Sequence, residues 1–317
     1  MSSLVFTLEH KPQERWGFFG SLVMAVANIG TLLGGLVGYI TRALLNDAQL
    51  LSWGWRVPFL SGIFLSACGF YLRDHSGDMH STIKTHENPL KEAFRPANRR
   101  ALVSCSLVPM VWAGGFYMTY IWLPIFMNDL IDHPIPGAFG VNTMSLFVAE
   151  VLLFPIGGIL ADKYGTKNVM TVGASLIFLF GPLLIIEVSQ GKEVTALWAQ
   201  TAMGLMLAIW GAPMMRWLFE VFPADVRLTS VSIGYNIALA LGGGFSPGLA
   251  TYVTGRFGEH YPGLLLPVFA ILGIIGLYIA PHKEEELPCN SGGGKVDDEG
   301  RKHSIHTSCN DDTVQKV

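Results

Sequence analysis

The residue in this sequence best placed to do chemistry is an acid inside an apolar run. Glu150 stands in S-L-F-V-A-E-V-L-L-F, residues 145–154. An ionised side chain at the centre of a membrane span costs roughly 2.5–3.5 kcal/mol. An acid kept at such a depth marks a proton site or a substrate contact, or else is a neutral Glu bonded to a neighbouring helix, or a Glu at the interface if the span boundary lies elsewhere. Tyr117 and Tyr120 lie in a second apolar run, three residues apart and so expected on one helix face. Their hydroxyls suit a small organic substrate, and an aromatic packing stripe is the competing reading. Asn28 and Asn236 are single amides within two further runs and need a partner across a helix or a ligand. Arg56 opens another run, where it attracts an anion or serves as an anchor at the interface.

Composition sets the class that positions these residues. Half of the 317 residues are apolar and 14% are charged, against roughly 25% charged in soluble domains. Mean hydropathy is +0.42. The chain therefore reads as an all-α, polytopic membrane protein. A net charge of −3 offers nothing to nucleic acid. The four Cys and nine His show no metal or disulfide spacing, and no cofactor is implied. One clear acid and no His at depth argue against an intramembrane enzyme.

Apolar runs predict eight spans near 17–45, 53–71, 101–128, 141–161, 168–188, 195–217, 228–254 and 262–280. Residues 73–100 read as a long polar loop, and 282–317 as a disordered tail rich in Gly, Ser, Asp and Lys. One set of connections carries Lys11, Arg15, Arg73, Lys84, Lys91, Arg95, Arg99, Arg100, Lys163, Lys167, Arg216, Arg227 and Lys283. The other carries only Arg42, Arg56, Lys192 and Arg256. The richer set is expected in the cytoplasm, with both termini there and the plasma membrane as the site.

Two polar turns stand out. Gly157 to Lys167 links the fourth and fifth spans, and its Asp162 suits the N-terminal end of the next helix or a nearby Arg. Glu220 to Arg227 surrounds Pro223 and leads to Asn236 and a Gly cluster. The same order of Glu, Pro, Arg, Ser, Asn and Gly-Gly recurs from Glu9 to Gly35, a weak internal repeat. Trp210 and Arg216, near a span end, read as interfacial anchors.

On these residues the chain resembles the major facilitator superfamily. Gly158, Asp162, Lys163, Gly165 and Lys167 match its G-x-x-x-D-[RK]-x-G-[RK]-[RK] loop, with Thr166 departing where the family has Arg. W-G-W-R-V-P-F-L at 53–60, Y-x-x-Y-x-x-L-P at 117–124 and E-x-F-P-x-x-V-R at 220–227 look like its metabolite:proton symporters. That group carries shikimate, 2-oxoglutarate, citrate, and proline or betaine. The resemblance implies a twelve-helix fold and symport of a small organic acid or zwitterion with a proton. It also implies a gating role for the loop residues together with Glu220 and Arg227. On the family's register the chain holds helices five to twelve. Residues 1–72 would then be two helices of one lobe and 101–281 the six-helix lobe. A non-transporting membrane protein, or a partner-binding derivative of the fold, is the alternative. Substrate and oligomeric state are not written in the sequence.

Overall fold

The computed structural model describes residues 2–60, 62–75, 91, 93–223 and 226–281. A short amphipathic helix, α1 (Ser2–Glu9), precedes the long α2 (Trp16–Leu44). Then come α3 (Asp47–Ser52), α4 (Val57–Leu60) and α5 (Gly62–His75). The remaining helices are α6 (Pro96–Leu130), α7 (Ala138–Tyr164), α8 (Thr166–Ser189), α9 (Glu193–Glu220), α10 (Arg227–Phe257) and α11 (Pro262–Ile279). No strand occurs among the described residues. Apolar runs become helices because only a helix satisfies its own backbone away from water.

Seven of these helices among the described residues are long and apolar enough to cross a membrane: the stretch Gln13–Gly38 and α6 to α11. The remaining expected span, 53–71, is a 3₁₀ turn at Gly54–Arg56 followed by α4 and α5. Residue 61, between the two helices, lies outside the described residues. Of the loop expected at 73–100, residues 73–75 end α5 and 96–100 open α6, because the helices run past the apolar stretches; 76–90 and 92, and the tail 282–317, lie outside the described residues.

Three helices are not regular throughout. Wide turns, with bonds reaching back five residues, occupy Tyr117–Trp122 and Phe126–Leu130 in α6, Phe147–Leu152 in α7 and Leu239–Gly244 in α10. Such turns concentrate at functional sites. A Pro ring disfavours the carbonyl four residues before it. Pro124, Pro155 and Pro247 each sit just beyond one of these turns.

The core is built by α6, α7, α8, α9, α10 and α11, around the buried rings of Trp112, Trp122, Phe126, Phe154 and Trp210. Trp122 also donates to Thr251 Oγ1 at 3.0 Å, tying α6 to α10. α2 lies against α7 and α9 along its first half, where Ser21, Ala25 and Asn28 are buried. Outward faces carry Leu22, Val26, Leu33, Phe178, Leu179 and Leu183, apolar and exposed, as lipid-facing surface requires.

Candidate functional site

The chain brings its polar residues into two groups. The first sits where α7 turns into α8. Gly165 makes that turn at φ 90°, a conformation open to Gly without strain. This places Asp162, on the last turn of α7, against the start of α2. Its two carboxylate oxygens accept from the backbone N–H groups of Gly17, at 2.8 Å, and Phe18, at 2.9 Å. The sequence suggested the next helix, α8, or a nearby Arg; Arg216 is that Arg, and in place of α8 stand the free N–H groups of α2. These groups have no partner within their own helix, so a carboxylate suits them.

The backbones must approach closely for this contact. A Cβ at Gly17 would lie 2.5 Å from Asp162 Oδ1 and from the Gly158 carbonyl oxygen. A Cβ at Gly158 would collide with the Gly17 carbonyl and the Ser21 hydroxyl.

The same carboxylate also accepts from Arg216 Nη1 at 2.8 Å, and Arg216 Nε reaches Glu220 Oε1 at 3.0 Å. Arg216, which the sequence suggested as an anchor, thus joins the two diagnostic turns. Arg227 lies 3.8 Å from Glu9 and packs over the Phe219 ring. The two leader turns of the internal repeat therefore meet in space. Lys163 and Lys167 are exposed, with Lys163 over the Tyr164 ring.

The second group is buried among α2, α6, α7 and α9. Glu150 has no exposed surface. Facing it from α6 is the buried Tyr120 hydroxyl, which is also within reach of Ser145. Neither carboxyl oxygen of Glu150, nor the hydroxyl of Tyr120 or Ser145, closes a hydrogen bond of ordinary geometry. Gly204 of α9 makes room for Tyr120: a Cβ there would collide with the hydroxyl and lie 2.7 Å from the Ala149 Cβ. Asn28 Nδ2 donates to the Glu150 carbonyl at 3.2 Å, so this amide does bond across helices. Gln200 Nε2 donates to the Thr119 carbonyl at 2.7 Å and to Asn142 Oδ1 at 2.6 Å.

Asn28, Tyr120 and Glu150 thus come together, and three candidates do not join them. Tyr117 packs beside Gly243 of α10, whereas Tyr120 faces α7 and α9. The expected shared face is lost because the wide turn changes the angle between them. Arg56 is exposed, donates to the Ser52 carbonyl at 2.6 Å and covers the Trp55 ring. Asn236 is exposed and donates to the Ser232 carbonyl of its own helix at 2.7 Å. Gln200, Asn142 and Gly204 were not singled out from sequence. The signal for Gln200 was there: an uncharged amide within an apolar span needs a partner.

Among the described residues no group of His, Cys, Asp and Glu is arranged to hold a metal.

The sequence is similar to several curated transport proteins. The chain is 26% identical over 289 residues to the inner membrane metabolite transport protein YhjE of Escherichia coli K12, covering 86% of this chain and 64% of that protein. It is 23% identical to the citrate-proton symporter of Klebsiella pneumoniae, covering 86% and 62%. With the proline/betaine transporter of Escherichia coli K12 the identity is 22%, covering 86% and 57%. The chain therefore spans about three-fifths of the length of these relatives. The family model described as Major Facilitator Superfamily matches residues 133–305, more than half of the chain. With its apolar helices, the chain is an integral, multi-pass membrane protein, and it belongs to the Major Facilitator Superfamily.

Proposed function

We propose that this chain supplies the six-helix lobe, residues 101–281, and two helices of the facing lobe of a proton-coupled carrier for a small organic acid or zwitterion. Glu150 is the proton site and Tyr120 its neighbour. The observation that carries the reading is a carboxyl with no exposed surface, on a membrane helix, facing a buried tyrosine hydroxyl. Intramembrane acids of this kind form proton relays. Relatives named for citrate-proton symport and for proline or betaine transport support the solute class.

Asp162, Arg216, Glu220 and the start of α2 form a gate on the cytoplasmic side, with Gly158, Lys163, Gly165, Lys167 and Arg227 shaping the turns. Alternating access rocks one lobe against the other about a midplane site. A contact between α2 and α7 at one end of the bundle is the kind that must open and close. Both termini and the 163–167 turn face the cytoplasm, and the membrane is the plasma membrane. Residues 282–317 are a tail that is dispensable for insertion.

The test is uptake of labelled citrate, proline and betaine into vesicles under an imposed pH gradient. The 317-residue chain is compared with a form completed to twelve helices by four upstream helices of a relative. Expected is saturable, gradient-driven uptake in the completed form and none in the chain alone. Absence of uptake in both, with protein inserted, overturns the carrier reading in favour of a partner-binding protein.

A further inference from the structure

The two buried amides share an unusual arrangement. In α6 the Leu123 N–H reaches back five residues to the Met118 carbonyl. In α7 the Leu153 N–H reaches back five residues to the Val148 carbonyl at 3.0 Å. One position further along in α6, and two further along in α7, the same offset pairs the Thr119 carbonyl with residue 124 and the Glu150 carbonyl with residue 155. Both of those residues are Pro and have no N–H to give. Each carbonyl instead accepts a side-chain amide from a neighbouring helix: Thr119 from Gln200 at 2.7 Å, Glu150 from Asn28 at 3.2 Å. An unpaired carbonyl at membrane depth is costly, so these amides take over the missing backbone bond.

The consequence falls on the neighbouring side chains. Thr119 immediately precedes Tyr120, and the other carbonyl belongs to Glu150 itself. We propose that Asn28 and Gln200 are positioning residues, each replacing the N–H that a proline removes and thereby fixing the wide turns that set Tyr120 against Glu150. The inference rests on Glu150 being the proton site. It adds that the facing lobe, through Asn28 on α2, acts directly on that site. Gln200 fixes a second contact, because it holds Asn142 of α7 at 2.6 Å as well as α6. The helices packed against the Glu150 turn bring no other described ionisable group to it. α9 has Glu193, Arg216 and Glu220 near its ends, and none of the described side chains of α2 is ionisable.

The experiment is an infrared pH titration of the 317-residue chain in lipid vesicles, following the protonated-carboxyl band that Glu150→Gln removes. Asn28→Leu and Gln200→Leu are each expected to move its midpoint by about one pH unit, tenfold in proton affinity. The distinguishing readout is rescue. In Asn28→Leu/Pro155→Ala and in Gln200→Leu/Pro124→Ala a backbone N–H becomes available again, and the midpoint should return toward that of the unmodified chain. A role in packing alone predicts no such return.

Unmoved midpoints in the single variants overturn the inference and leave the proton-site reading standing. So do shifted midpoints that the proline replacements fail to restore. Should a single Leu variant fail to insert, recovery of insertion by its proline partner supports the inference and failure to recover counts against it. If Glu150→Gln removes no titrating band, the proton-site reading falls, and the positioning role falls with it.

Discussion

Arg216 and Asp162 meet at 2.8 Å between two helices, fifty-four positions apart in sequence, and both side chains are mostly shielded from solvent. The same Asp162 carboxylate accepts from the N–H groups of Gly17 and Phe18 in the first turn of α2, so one side chain ties α2, α7 and α9 together. A lone surface ion pair is worth little. This one is joined to backbone donors and closes the contact of α7 with α2 and α9.

Asp162→Asn should loosen that contact, because the amide nitrogen has no lone pair for a backbone N–H or for Arg216. A loss of about 1–3 kcal/mol is expected from the charge-assisted bonds. Insertion should persist, and uptake by the completed form should fall. The charge swap Asp162→Arg/Arg216→Asp should not restore stability, since α2 still presents N–H groups to the position. Thermal unfolding in detergent checks both variants, and recovery in the swap would show that only the ion pair matters.

Gly158→Ala should destabilise the chain by about 1–3 kcal/mol, the usual cost of forcing a methyl into a packed contact. Its Cβ would collide with the Gly17 carbonyl and the Ser21 hydroxyl. Gly34→Ala, on the same long α2, meets nothing within 4 Å. It should be neutral or stabilising by up to about 1 kcal/mol through helix propensity. Comparing the two melting midpoints tests whether close approach, rather than helix content, explains Gly158.

Gly204→Ala should displace the Tyr120 hydroxyl, at a cost of about 1–3 kcal/mol. Tyr120→Phe removes the oxygen that the new methyl would strike. The two changes together should therefore cost less than their sum. A double-mutant cycle on unfolding free energies measures this, and simple additivity would place Tyr120 elsewhere.

Orientation gives a fourth expectation. In a background without native cysteines, Pro134→Cys should react with an impermeant thiol reagent added to intact cells, and Lys163→Cys should not. The Lys and Arg bias of the connections motivates this. Labelling of the second position from outside would invert the topology.

The wide turns and the amides that brace them divide differently between sequence and fold. Pro124 and Pro155 are visible in the sequence, and so is the loss of an N–H at each. The partner that replaces it is not, because Gln200 and Asn28 lie 81 and 122 positions from the carbonyls they satisfy. Tyr117 and Tyr120 seemed to share a face because regular helical spacing was assumed across a turn that is wider.

What the sequence determined by itself is the set of apolar runs and the places where a polar group must find a partner. Both follow from local physics: a backbone in lipid has to satisfy itself, and a buried amide or acid cannot stay unpaired cheaply. The tertiary structure decided which partner each group found. Asp162 meets the start of α2 instead of α8, Arg216 bridges two turns instead of anchoring an end, and Asn28 rather than Asn236 reaches a neighbouring helix. In membrane bundles the helices are similarly apolar all round, so hydropathy does not say which faces meet. Close approach at small residues such as Gly17 and Gly158 settles it, and only the packed fold shows which small residues are opposed.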